Sequence, residues 1–273
     1  MAKLSAYEKL GIARNIGRPG TIDFIENIFT DFVELKGDRL GREDPSILGG
    51  VALFDGKPVT VIGHRKGKNL DENLKYNFGM PGPEGYRKAL RLMKLSEKFS
   101  RPVITFIDTP GAYPGTQAEE NGQSVAIAEN LLEMSRLKVP IIAIITGEGN
   151  SGGALAIAVG DKVWMFENAV YSILSPEGFA SILWKDASKK VTACEMMKMT
   201  ADDLYSYGLI DDILPEAEGG LQTDPDAGYE AIRKMLRNEL PALMRLDKDE
   251  LVADRYKKLR NIEGALAPKS NAK

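Results

Sequence analysis

Twice in the middle of the chain a short, unbroken apolar run ends in a glycine-rich stretch that leads into a helix-forming segment. Pro102–Ile107 delivers Asp108-Thr109-Pro110-Gly111-Ala112-Tyr113-Pro114-Gly115, and Val139–Ile145 delivers Gly147-Glu148-Gly149-Asn150-Ser151-Gly152-Gly153-Ala154. Apolar runs of this length, bounded by turn residues, read as buried strands. Repetition of strand, turn and helix predicts a layered α/β fold. The same layout has a chemical reading, because the first N–H groups of a helix have no intrahelical acceptor and attract negative charge. A preorganised pair of such donors stabilises an enolate or a tetrahedral oxyanion, each donor contributing roughly 3–4 kcal/mol. Acyl or carboxyl transfer is the chemistry that uses such a site. Sharp chain reversal and tight helix–sheet packing account for the same glycines without chemistry.

The rest of the chain fits this frame. Ser5 and Glu8 form a capping-box pattern that predicts an opening helix, stopped by Gly17-Arg18-Pro19-Gly20, with Thr21 as the cap of a second. Ile47–Phe54 and Pro58–His64 flank Asp55-Gly56-Lys57, a hairpin signal. Gly67–Pro83 reads as a long connection. Tyr86, Ala89, Leu90 and Met93 then repeat at helical spacing in a helix from Glu84. Gln117–Leu137 reads as one helix with Val125, Ala128, Leu131 and Leu132 on a single apolar face, and Ser151–Val159 as a small-residue helix. Lys162–Phe166, Val170–Leu174 and Leu209–Leu214 are expected strands, and Pro176–Lys185 and Thr200–Tyr207 short helices. Asp226–Leu240 and Lys248–Asn261 are expected closing helices after a Gly219–Gly228 hinge, and Ala265–Lys273 a frayed tail. We read one domain over 1–273, with an N-terminal helical segment over 1–46, a core over 47–215 and C-terminal helices over 225–262.

Composition removes several function classes. The 36 basic and 39 acidic side chains leave a net charge of −3, so no global field recruits nucleic acid or anionic lipid. Cys194 is the single cysteine, which excludes an intrachain disulfide and a Cys-rich zinc site. No signal-like segment and no membrane-spanning apolar run is present, so the expected location is the cytoplasm. No Walker A or dinucleotide fingerprint occurs.

Three other features invite chemistry. Gly149-Asn150-Ser151-Gly152-Gly153 matches the G-x-S-x-G nucleophile elbow of a serine hydrolase, but that fold needs a histidine after the serine, and the only one, His64, precedes it. His64, Asp108 and Ser151 do follow the chymotrypsin order, although α/β alternation argues against that barrel. Arg65, Lys66 and Lys68 form a basic cluster that suits either a phosphate or carboxylate ligand or plain solvation. Glu119 and Glu120 are adjacent on a helix and do not face each other as an acid–base pair. A noncatalytic scaffolding subunit is the second class of reading. Bulk at Gly153 is expected to lower turnover far more than assembly if the turn is catalytic.

The segments Asn77-Phe78-Gly79-Met80-Pro81, Pro83–Arg91, Asp108–Gly115, Gly147–Ala154 and Ser175-Pro176-Glu177-Gly178 with Ile182–Asp186 together resemble the carboxyltransferase alpha subunits of bacterial acetyl-coenzyme A carboxylases, within the crotonase superfamily. The resemblance runs from Leu4 to Arg260, and the Asp108–Thr116 pattern is also similar to the biotin-side half of propionyl-type carboxyltransferases. It implies a crotonase-like α/β fold, a spiral of ββα units with flanking helices. It implies transfer of a carboxyl group from carboxybiotin, supplied on the biotin carboxyl carrier protein, to acetyl-CoA, giving malonyl-CoA for fatty acid biosynthesis. In that picture carboxybiotin releases carbon dioxide, the ureido oxyanion takes the acetyl proton, and the enolate attacks carbon dioxide. The chain would be half of a site, completed by a beta subunit carrying the CoA thioester and a zinc ribbon, in an alpha-two, beta-two heterotetramer that joins biotin carboxylase in the holo-complex. No metal is expected here. Carried onto this sequence, the oxyanion site falls on backbone N–H groups of Gly152, Gly153 and Ala154, with Gly111 and Ala112 lining the carboxybiotin pocket beside Gly152 and Gly153. Two departures stand out: many relatives have further N-terminal helical residues, and Asn150 stands where glycine is commoner.

Overall fold

The computed structural model describes residues 4–266, and for 263–266 only the backbone. The expected frayed tail therefore lies, from 267 onward, outside the described residues. The chain opens with α1 (Ala6–Ala13), held by the predicted capping box: Ser5 Oγ accepts from the Glu8 N–H, and Glu8 in turn accepts from the Ser5 N–H at 2.8 Å. Next comes α2 (Thr21–Ile28), whose cap is Gly20, not Thr21. The Thr21 hydroxyl points inward and donates to the His64 carbonyl at 2.5 Å. The expected helical segment over 1–46 also contains a strand, β1 (Thr30–Glu34), which pairs antiparallel with β2 (Ile47–Phe54). β2 and β3 (Lys57–His64) form the predicted hairpin.

The long connection holds a short helix, α3 (Leu70–Lys75), capped by Asn69. From there α4 (Pro83–Lys98) buries Tyr86, Ala89 and Met93 and leads into β4 (Val103–Thr109). The single helix expected over Gln117–Leu137 is two, α5 (Thr116–Glu120) and α6 (Gln123–Arg136), because Gly122 adopts φ +83° between them. β5 (Ile141–Asn150) is buried along its whole length and runs straight into α7 (Ser151–Leu155). Thus Gly147–Asn150 is strand, the reversal falls on Ser151 at φ +62°, and the helix expected to reach Val159 ends at Leu155. β6 (Lys162–Phe166), β7 (Val170–Ser172), α8 (Pro176–Trp184), α9 (Lys190–Met197), α10 (Ala201–Ser206) and β8 (Asp212–Leu214) follow. Finally α11 (Pro225–Leu243) and α12 (Lys248–Leu266) close the chain, and the expected hinge residue Gly228 lies buried inside α11.

Among the described residues the strand order is β1-β2-β3-β4-β5-β6-β8, parallel from β3 onward. β5 pairs with β6 along its first half and with β7 along Glu148–Asn150, so the sheet splits beside the second turn. Phe24 stacks on Phe106 at 5.0 Å between centroids and lies within 6.1 Å of Phe166, tying α2 to the sheet. Two buried arginines pin the chain ends. The Arg18 side chain donates to the Thr146 carbonyl at 2.6 Å and pairs with Glu216, and Arg255 donates to the Met134, Leu137 and Val139 carbonyls and to Asp161. The second set caps the C-terminal end of α6, where carbonyls lack helical partners.

The inner face of α6 differs from the sequence expectation. Its buried residues are Gln123, Ala126, Asn130 and Met134, whereas Val125 and Leu132 are exposed. The two amides face inward because loop carbonyls need donors there. Gln123 Nε2 serves Pro81 and Tyr113, and Asn130 Nδ2 serves Ala156.

Candidate functional site

β4 and β5 are parallel neighbours, with Thr109 opposite Gly149, so the two glycine-rich segments leave the sheet side by side. They touch at Gly153. A β-carbon there would lie 2.3 Å from the Ala112 nitrogen and 2.5 Å from the Gly111 carbonyl carbon, which is backbone that cannot swing away. Gly153 is therefore a packing requirement. Gly152 is not: a β-carbon would meet only Ile127 of α6, at 3.6 Å, an ordinary contact.

The five residues singled out from sequence fall into two groups. Gly111, Gly153 and Ala154 are buried, and the Gly111 N–H is already taken by Thr109 Oγ1 at 3.0 Å. Ala112 and Gly152 are partly exposed, and the Ala112 N–H meets no acceptor among the described residues. Gly152 lies in the first turn of α7, where N–H groups lack intrahelical acceptors. The two turns thus bring the partly exposed residues Ala112 and Gly152 to one junction, backed by buried glycines and Ala154.

Beneath them lies a polar network that sequence reasoning missed. Glu148 Oε1 accepts from Arg14 Nε at 3.0 Å, Arg14 Nη2 at 2.6 Å and Asn150 Nδ2 at 2.8 Å. Arg14 also reaches Glu177 of α8, and Ser172 of β7 donates to Asn150 Oδ1 at 2.8 Å. Burial acts to lower the Arg14 pKa, but hydrogen bonds to Glu177 and Glu148 outweigh it and hold the guanidinium charged. Asn150 is fully buried, its amide spanning Glu148 and Ser172. The local signal was a carboxylate between two glycines, Gly147-Glu148-Gly149, in an otherwise apolar strand; Arg14, far away in sequence, gave none.

The basic cluster is largely spent on internal partners. Lys66 pairs with Asp108 at 2.6 Å and lies 3.7 Å from Glu148, Lys68 pairs with Asp23 at 2.8 Å, and Arg65 stacks on Tyr76. Asp108 also accepts from the Glu148 N–H at 2.9 Å, and it packs so tightly on Gly147 that a β-carbon there would lie 2.5 Å from its carboxylate. His64 ends β3, its Nδ1 accepting a long 3.4 Å bond from the Asp108 N–H. Burial pushes its pKa down to about 4, against the opposing pull of the Asp108 charge and the Gly153 backbone. With Nδ1 an acceptor and the Asp108 carboxylate on Lys66, His64 and Asp108 lack the hydrogen bond that orients a triad histidine. Ser151 is exposed and its hydroxyl has no partner among the described residues. Glu119 and Glu120 are also exposed, on α5.

Residues 1–263 match the family described as "Acetyl co-enzyme A carboxylase carboxyltransferase-like". The chain is 56% identical over 261 residues to the acetyl-coenzyme A carboxylase carboxyl transferase subunit alpha of Geobacillus kaustophilus, covering 96% of this chain and 80% of that one. It is 55% identical over 260 residues to the protein of the same name from Clostridium acetobutylicum, covering 95% of each. Among solved structures, transcarboxylase 12S with methylmalonyl-coenzyme A bound superposes with a TM-score of 0.67 at 20% identity, over 88% of this chain but 46% of that one. At that identity the likeness concerns the fold, which is crotonase-like α/β, and the chain spans about half the length of that neighbour. From the family match over nearly the whole chain, the protein belongs to the acetyl co-enzyme A carboxylase carboxyltransferase-like family.

Proposed function

We propose that the chain is the alpha subunit of an acetyl-CoA carboxylase carboxyltransferase and provides the carboxybiotin side of a site shared with a beta subunit. The observation that carries this reading is the meeting of the two turns at Gly153, with the partly exposed residues Ala112 and Gly152 beside that contact. Two N–H donors suit an oxygen that carries or gains negative charge.

Carboxybiotin, brought by its carrier protein, supplies an activated carboxyl group. The Ala112 and Gly152 N–H groups hold the ureido oxygen and favour the charge it gains as that group departs. Thr109 fixes the first turn through Gly111, and the Gly153 contact fixes the distance between the turns. Asp108 and Glu148 are engaged with Lys66 and Arg14, so neither is a free general base. The acetyl proton then passes to the ureido oxyanion that loss of the carboxyl group leaves on biotin.

Val125 and Leu132 of α6 and Leu155 of α7 expose apolar surface, which suits coverage by the beta subunit. The reading includes an alpha-two, beta-two assembly, zinc in the partner, acetyl-CoA as acceptor, biotin carboxylase in the larger complex and a cytoplasmic location. Among the described residues no helix is long and apolar enough to cross a membrane. The test is amide hydrogen exchange on the assembled complex with and without biotin. Protection should appear at 110–113 and 151–154; protection confined to another surface would overturn the assignment.

A further inference from the structure

Behind the junction of the two turns sits a hydroxyl whose presence packing does not explain. Tyr86 of α4 is fully buried, its ring packed with Ala126 and Ala156 and against Ala112 and Ile127. Among the described residues its hydroxyl oxygen has no hydrogen-bond partner, yet it would lie 2.9 Å from a β-carbon on Gly153. His64, also buried, reaches the same Gly153 backbone. A phenylalanine would fill the Tyr86 site without leaving a polar atom unpaired, and an unpaired buried hydroxyl is destabilising.

We propose that the Tyr86 hydroxyl is a positioning residue for carboxyl transfer, acting through the Gly153 backbone on the anion held at Ala112 and Gly152. The inference rests on the functional reading above. With no acceptor among the described residues to fix it, such an O–H turns its positive end toward negative charge developing at the junction. The interaction is then absent in the ground state and present in the transition state, which is what accelerates a reaction. Burial, followed by the Asp44 charge, raises the phenol pKa well above its ordinary value, so the group keeps its proton throughout the working pH range.

The experiment is Tyr86→Phe in the full chain assembled with its beta subunit, assayed by malonyl-CoA decarboxylation with biotin as acceptor. The melting temperature should stay the same or rise, kcat should fall on the order of tenfold, and both KM values should stay within about twofold. An idle hydroxyl would leave kcat unchanged, and a purely structural one would lower the melting temperature; either result overturns the inference while leaving the functional reading intact. A correctly assembled wild-type complex with no turnover would overturn the functional reading, and this inference with it.

Discussion

Gly153 rests directly on the Ala112 nitrogen, with room for no β-carbon between them. This contact alters what a substitution at Gly153 can report. Gly153→Ala forces two backbones apart and is expected to cost about 3 kcal/mol, the upper range for overpacking, with turnover and assembly lost together. Gly152→Ala, whose methyl meets only Ile127, should change stability by no more than about 1 kcal/mol and should keep turnover, because the donor is backbone. Paired denaturation and turnover measurements on the two variants check this. Loss of turnover in Gly152→Ala at unchanged stability would mean that the ligand needs the space, not only the N–H.

Arg14 joins the first helix to the floor of the site. Arg14→Ala leaves the buried Glu148 carboxylate with only the more distant Lys66 as a cation, and the expected loss is about 3 kcal/mol, the low end for breaking a buried pair. The Arg14 hydrogen bond also holds the Glu177 carboxyl below its ordinary pKa of 4.5. A depressed carboxyl contributes stability above its unfolded pKa and loses it as pH falls toward the folded one. The wild type should therefore lose stability on acidification below about 4.5 more steeply than Arg14→Ala, as urea denaturation across pH 3–6 would record.

His64 adds a second group whose proton affinity falls on folding, and it acts at higher pH. Unfolded, its imidazole binds a proton near 6.5; folded, it stays neutral down to about 4. Between those values the unfolded chain holds more protons, so folding stability drops as pH falls from 6.5 to 4, by about 3 kcal/mol in full. His64→Asn should flatten the stability profile in that window. An unchanged slope would mean that the imidazole is charged in the folded protein.

Cys194 is buried, and burial is the main reason its thiol is pushed up to about 11. Iodoacetamide at pH 8 should leave the native chain unmodified and alkylate it once unfolded. Rapid native-state labelling, read by mass spectrometry, would show that the α1–α9 packing around it opens readily.

The strand–turn–helix order was legible because β4 and β5 are buried on both faces and their apolar runs are unbroken. The hairpin and the Ser5 cap were legible for equally local reasons. The α6 face was misread because apolar periodicity does not report where buried carbonyls need donors, and Gln123 and Asn130 are drawn inward by carbonyls of distant loops. The site was legible as a pair of turns, yet not which amides remain free. That depends on Thr109 Oγ1 taking the Gly111 N–H and on Gly153 meeting Ala112 across the turns. The Arg14–Glu148 and Arg255–Asp161 pairs join residues far apart in sequence, and no periodicity encodes such pairings.

If these turns are one half of a carboxyltransferase site, malonyl-CoA-dependent carboxylation of biotin by the chain alone, by the beta subunit alone and by the two mixed tests it most directly. Turnover is expected only in the mixture, rising with beta subunit to a one-to-one ratio. Turnover by the chain alone, or none from a mixture that demonstrably assembles, would contradict it.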